Sequence, residues 1–240
     1  MTVKRHIPNF ITILNLLCGC AAIVYIANND FQTPFYLVCL GIFFDFFDGF
    51  FARLFKVSSP LGLQLDSLAD MVTSGVVPGF LMYKIILNEY SFIQHQYLAF
   101  AGFVITAGAC YRLANFNIDE RQTDHFIGLP TPANALFFMS IPFWMSDLAI
   151  YFKSVSDLQL TLFFVSTCFV SAFLMNSEIA LFSLKIKNFS FQKYKLQILF
   201  ALLCTVLLVL LQVVAVPMII VLYVLVSVAS NFFQHSSRGN

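Results

Sequence analysis

The sequence predicts an all-α fold: a polytopic membrane helix bundle of about eight transmembrane helices. Three observations predict it. Hydrophobic residues fill 60% of the 240 positions and charged residues only 10%, against about 45–50% and a quarter in globular chains. There are 30 Phe and a single Trp, more apolar surface than a soluble core of this size can hide. The apolar residues also gather into runs near the roughly 20 residues that a helix needs to cross the hydrocarbon core.

The runs follow in order. The basic start, Met1 to His6, leads into 10–28. It is similar to the charged start of a signal peptide, but the run is long and no small-x-small cleavage site follows, so a retained first helix is expected. Asn28-Asn29-Asp30 breaks the chain before 34–53, and Ser58-Ser59-Pro60 before 61–87. Asn88-Glu89 precedes 97–115, and the polar stretch 117–130 precedes 131–150. Ser156-Asp157 opens 158–176, and a polar-aromatic loop from Lys185 to Lys195 leads to 195–213 and 215–233, which meet near Val216-Pro217. With a cytoplasmic N-terminus, 11 of the 13 basic residues fall on one side, leaving only Lys84 and Lys153 on the other, as the positive-inside rule requires. No internal repeat is evident, and residues 1–240 read as one domain of packed helices.

Composition excludes some functions. A formal net charge of +1 offers no basic stripe for nucleic acid. The six cysteines lie in apolar stretches without a C-x-x-C pair, so reduced packing thiols are expected rather than a zinc site.

Four carboxylates stand where apolar residues should. Asp45 and Asp48 are spaced i, i+3 in the second span, and Asp66 and Asp70 i, i+4 in the third. Each pair projects from one side of its helix. An ionised side chain at mid-bilayer costs at least about 2.5–3.5 kcal/mol, so such residues are functional candidates by default. Pro60 suits the first turn of a new helix, so the chain turns back and the acidic faces meet. Carboxylates that close repel one another, and two divalent cations would resolve the repulsion; oxygen-only ligands favour Mg, Mn or Ca over zinc. Gly49 and Gly62 leave room beside them for a bulky ligand. A divalent-cation transport site is the rival reading, but Arg53 on the same path disfavours it.

Asp45-Phe-Phe-Asp48-Gly49-Phe-Phe-Ala52-Arg53, eight residues, then Gly62-Leu-Gln-Leu-Asp66-Ser-Leu-Ala-Asp70 resembles the signature of the CDP-alcohol phosphotransferase family at every fixed position. The resemblance implies that Asp45 and Asp66 bridge two metal ions (Mg or Mn), that Asp48 binds the first and Asp70 the second, and that Asp70 is the general base. It implies that Gly49, Arg53 and Ser59 contact the CDP moiety of a CDP-diacylglycerol donor. Pro8-Asn9-Phe-Ile-Thr12 resembles the family's P-N-x-x-T, which places Asn9 and Thr12 at the same site. The family also implies a homodimer in the cell membrane, with the site facing the cytoplasm.

Ile7 to Gly19, Leu65 to Asp70, Arg112-Leu-Ala-Asn115-Phe-Asn117 and Phe126 to Ala133 are similar to the branch of the family whose acceptor is L-serine. The likeness covers most of 7–135 and thins afterwards. A serine carboxylate needs a cation, and Arg112, with Asn115 and Asn117 one turn onward, is the candidate. Arg112 as a positive-inside anchor on lipid headgroups is an equal alternative. Glycerol 3-phosphate or inositol phosphate would need a more basic pocket than Arg53 and Arg112 provide. His6, His95, His125 and His235 lie in predicted loops or ends, away from the Asp cluster, and Asp119 to Asp124 reads as a solvated loop.

Overall fold

The computed structural model describes residues 2–57, 59–89, 93–119, 126–147, 156–181 and 195–238. The expected loops at 120–125 and 185–194 lie outside these residues, as do Ser58 and the side chains of His95, His125 and His235. The first two helices, α1 (Thr2–Ala27) and α2 (Thr33–Phe55), form a tight hairpin. Asn29, at φ 63°, ends the first helix in left-handed geometry. Asp30 then accepts hydrogen bonds from the backbone N–H groups of Gln32 and Thr33 at 3.1 and 3.0 Å, capping donors that the start of α2 cannot satisfy internally. Thr33, through its side chain first and then its backbone N–H, holds the Asp30 carboxyl below its ordinary value. Lys56, at φ 54°, closes α2 in the same left-handed way, with Arg53 in the last turn.

The third span is one helix of three parts: α3 (Pro60–Asp70), a π-helical segment (Met71–Val76) and α4 (Val77–Glu89). A short 3₁₀ helix (Ile93–Gly102) runs into α5 (Phe103–Ile118). After a two-residue strand β1 (Phe126–Ile127) come α6 (Thr131–Met139), α7 (Ile141–Asp147) and α8 (Asp157–Asn176). Strand β2 (Ala180–Leu181) pairs antiparallel with β1, Phe126 facing Leu181 and Ile127 facing Ala180. Helices α9 (Lys195–Leu211) and α10 (Ala215–Arg238) complete the chain.

The core sits between α1, α2, α4, α5 and α6. Ala22 and Ile26 of α1, Val38 of α2, Leu81 and Ile85 of α4, Ile105 of α5 and Phe138 of α6 are all fully buried. The outer faces are apolar too: Phe43, Phe46 and Phe50 on α2, Phe169 and Phe173 on α8, and Leu202, Val209 and Leu210 on α9 are exposed. Apolar on both sides is the pattern of helices that meet protein on one face and lipid on the other. On α2, Phe43, Phe47, Phe51 and Phe55 follow one another at i, i+4 with ring centroids 4.6, 6.0 and 5.6 Å apart. The six cysteines are free thiols.

Six helices are long and apolar enough to cross a membrane among the described residues: His6–Ala27, Thr33–Phe55, Pro60–Leu87, Gln96–Ile118, Asp157–Asn176 and Gln197–Ser230. The chain is a multi-pass membrane protein, and the expected count of eight is not reproduced. The difference has two causes. The stretch expected at 131–150 is split at Ser140, whose hydroxyl donates to Phe137 O at 2.7 Å; Pro142 then sits in the first turn of α7, where it cannot prolong the preceding helix. The last two expected spans form one apolar stretch of 34 residues, about 50 Å if fully helical and longer than the ~30 Å core. It is interrupted by a 3₁₀ turn at Gln212–Val214, with Gln212 at φ 49°. The boundary therefore lies just before Val216-Pro217, and Pro217 falls in the first turn of α10. Trp144 of α7 donates to Val214 O at 2.7 Å and pins that turn.

Arg112 has a structural task. It is buried at 8% exposure, and its Nη1 donates to Ile127 O at 3.1 Å and Met175 O at 3.3 Å. It thus ties α5 to β1 and to the end of α8. Burial removes the reading of Arg112 as an anchor on lipid headgroups. Gly128 closes the same corner: its N–H donates to Ile179 O at 2.9 Å, its φ is +72°, and a Cβ there would press on the carbonyl oxygens of Met175 and Ser177. Gly128→Ala should therefore destabilise the protein by about 1–3 kcal/mol, read as a lower thermal midpoint in detergent; an unchanged midpoint would remove the corner from the fold's supports.

Candidate active site

The first three spans meet at a point where side chains give way to backbone. A Cβ on Gly41 of α2 would stand 2.8 Å from both Asn15 Oδ1 and Thr73 Cγ2. The glycine lets α2 approach α1 and the π-helical segment closely enough for their polar groups to share one buried volume. Thr73 donates to Asn15 O at 3.2 Å across the same contact. Ser59 starts α3 as its N-cap, accepting from Gly62 N–H at 3.0 Å, and Pro60 follows in the first turn. That cap sets the direction of α3 and so the direction in which Asp66 and Asp70 point.

The acidic faces of α2 and α3 meet as their spacing requires. Asp45, Asp48 and Asp66 each offer a carboxylate oxygen within 4.8 Å of the others. Asp48 is buried at 6% exposure and accepts from Thr12 Oγ1, which also donates to Pro8 O at 3.1 Å. Asp70, one turn beyond Asp66, accepts from Asn15 Nδ2 at 3.2 Å. Asp66 Oδ1 is buried and accepts no hydrogen bond among the described residues. A buried carboxylate oxygen without a donor is costly, and the groups that reach the cluster, Thr12 and Asn15, are neutral. Cations are what this donor set lacks. The residues therefore fit a divalent metal site built from oxygen ligands.

Beside the cluster lies a cavity of about 170 Å³. Asn9 and Thr12 of α1, Asp48 and Gly49 of α2, and Ser59, Gly62 and Asp66 of α3 line it. A Cβ on Gly62 would stand 3.3 Å from both Asn9 Oδ1 and Ser59 Oγ, so the glycine keeps the cavity open between them. Arg53 is exposed, and its Nη2 lies 3.9 Å from where a Gly49 Cβ would be; its guanidinium covers the open side of Gly49 at the rim.

The structure thus places Asn9, Thr12, Asp48, Gly49, Ser59 and Asp66 around the cavity, with Asp45 in the same acidic cluster, Asp70 one turn beyond Asp66 and Arg53 beside Gly49. It does not gather the three acceptor candidates. Arg112 turns to backbone carbonyls, Asn115 is exposed, and Asn117 exchanges hydrogen bonds with Ser67 at 2.9 and 3.2 Å. Asn117 is thereby joined to the residue that follows Asp66 in α3. Asn15 was not among the residues expected at the site. An amide one turn after Thr12, inside an apolar first span, was the available signal.

An acidic cluster between membrane-spanning helices, with a glycine-lined cavity beside it, defines a multi-pass membrane protein whose site fits a cation. The family model for CDP-alcohol phosphatidyltransferase matches residues 5–169, and the chain belongs to that family. Three relatives are similar to it, each a CDP-diacylglycerol--serine O-phosphatidyltransferase. The Bacillus subtilis (strain 168) protein is 36% identical over 53% of this chain and 70% of its own length. The Helicobacter pylori (strain J99) protein is 34% identical over 54% of each chain. The Methanocaldococcus jannaschii protein is 35% identical over 54% of this chain and 57% of its own length. The chain thus spans between about half and 70% of the length of these relatives.

Proposed function

We propose that this chain transfers the phosphatidyl group of CDP-diacylglycerol to L-serine, giving phosphatidylserine and CMP, from the cytoplasmic face of the cell membrane. The observation that carries the reading is the acidic cluster of Asp45, Asp48 and Asp66, with Asp70 one turn beyond, beside a cavity lined by Asn9, Thr12, Gly49, Ser59 and Gly62. The names of the relatives supply the acceptor. The cytidine and pyrophosphate of the donor occupy the cavity, with Arg53 at the rim as a forked donor to phosphate. Its acyl chains stay in the bilayer.

Two divalent cations, Mg or Mn, held by the four Asp would offset the pyrophosphate charge and favour departure of CMP. The serine hydroxyl oxygen forms a bond to the β-phosphorus as the bond from that phosphorus to the CMP oxygen breaks. Asp70, oriented by Asn15, takes the hydroxyl proton. Direct displacement of this kind passes through no covalent enzyme intermediate, and a trapped phosphatidyl-enzyme adduct would contradict it. Asn117, joined to Ser67 next to Asp66, is the acceptor contact on this reading. Arg112, tied to the corner of β1 and α8, supplies no cation to either kind of acceptor on this reading, so serine rests on the names of the relatives. A homodimer, carried by the family resemblance, belongs to the same reading.

The test is CMP release from CDP-diacylglycerol by purified protein, with each alcohol in turn. Serine-dependent release is expected; release only with a phosphorylated alcohol overturns the acceptor. Chelation with EDTA should abolish release, and Mg or Mn should restore it. Full activity after exhaustive chelation would remove the metals from the reading.

A further inference from the structure

A second cavity, of about 380 Å³, lies between α6, α8 and α10. Leu129, Phe137, Leu174 and Val224 wall it, and Val170, Val221 and Leu225 stand at its mouth, the last three exposed on the membrane-spanning surface. It shares no lining residue with the acidic cavity. One polar group breaks its apolar wall. Asn134 is 1% exposed, its Oδ1 accepts from Ser171 Oγ at 2.7 Å, and its Nδ2 has no acceptor among the described residues.

A buried amide N–H without an acceptor is costly in an apolar setting. Water is a poor answer. A single water between Asn134 Nδ2 and the Thr167 hydroxyl, which donates to Phe163 O at 2.8 Å and still accepts, would occupy only a small part of the space. The volume exceeds one water many times over, and the walls would stay dry. What the cavity lacks is a long apolar body with a single acceptor near one end. In a bilayer that is the acyl chain of a glycerolipid with its ester carbonyl. Ser171 holds the Asn134 carboxamide so that Nδ2 is left for that carbonyl.

We propose that this cavity holds one acyl chain of a resident diacyl phospholipid, distinct from the transferred lipid, whose ester carbonyl accepts from Asn134 Nδ2. The site is independent of the transfer chemistry, so the test reads binding. Delipidated protein is titrated with dioleoyl phosphatidylglycerol and with its diether analogue, which has the same chains but no ester carbonyl, and adducts are counted by native mass spectrometry. The wild-type protein should bind the diester roughly five- to tenfold more tightly. Asn134→Leu should erase that preference; the hydroxyl of Ser171 can then turn back to the i−4 carbonyl of its own helix. Val221→Trp, which fills the mouth, should lose the adduct with either lipid while Asn134 stays in place. Equal affinities for the two lipids in the wild type overturn the proposal. So does a preference that survives in Asn134→Leu, or one-for-one displacement by CDP-diacylglycerol, which would make the occupant the donor's own chain. CMP release measured on the same samples reports on the transfer reaction separately.

Discussion

Asp66→Ala is expected to abolish CMP release, by about a thousandfold or more, in a protein that still inserts. Asp66 is central because it is the α3 carboxylate that meets both α2 carboxylates within 4.8 Å. Its removal leaves Asp45 and Asp48 on one helix with nothing opposite them, so the donor set can no longer enclose positive charge between two spans. Losing one preorganised electrostatic contributor commonly costs about 10²–10³ in rate, and losing a metal bridge costs at least as much. Insertion should not suffer. A carboxylate at membrane depth opposes it by a few kcal/mol, and Asp66 Oδ1 makes no hydrogen bond that holds the fold among the described residues. The measurement pairs CMP release with the yield of folded protein in the membrane fraction. Activity within tenfold of wild type would take Asp66 out of the site.

Asn15→Leu should lower kcat by roughly 10- to 100-fold, the usual effect of removing a group that orients a ligand or base. Asn15 is fully buried and bridges three elements: its Nδ2 donates to Asp70, its backbone oxygen accepts from Thr73, and its Oδ1 faces Gly41. It touches the reaction only through Asp70, so KM for serine should change far less than kcat. A merely structural role would instead lower stability and leave kcat per folded molecule intact. Equal kcat in a correctly folded Asn15→Leu protein would end the positioning argument.

The acidic cluster was legible because helical spacing fixes which side of a helix a residue occupies before any packing is known. Asp45 with Asp48, and Asp66 with Asp70, could only project together, and Ser59-Pro60 told where the chain turned back. The role of Asn15 was less legible, since it depends on how closely α1, α2 and the third span approach, which Gly41 decides across 26 residues of sequence separation. The span count differs for a local reason among the described residues. An apolar run such as 131–150 carries no mark of a Ser140 hydroxyl bonding back to its own helix, whereas the break expected between 195–213 and 215–233 does fall at the turn of Gln212–Val214. The surroundings of Arg112 were not legible, because a cation near the end of a span carries no mark of what will cover it. Its burial depends on the return of 126–128 and the end of α8 to the same corner.

The π-helical segment after Asp70 suggests how the third span was assembled. A π-turn holds one residue more than the α-helical turn it replaces, so it covers about the same rotation with that residue absorbed. Deleting a single residue from Met71–Val76 would restore a regular helix with Asp66 and Asp70 still facing α2 while α4 stayed packed. The wide turn thus carries an extra residue without rotating the reactive end against the anchoring end. Thr73 and Thr106 stitch the widened turn to its neighbours, through Asn15 O and Gly75 O. A second inserted residue, which one wide turn cannot absorb, should rotate Asp66 and Asp70 by about 100° and abolish activity while membrane insertion is kept.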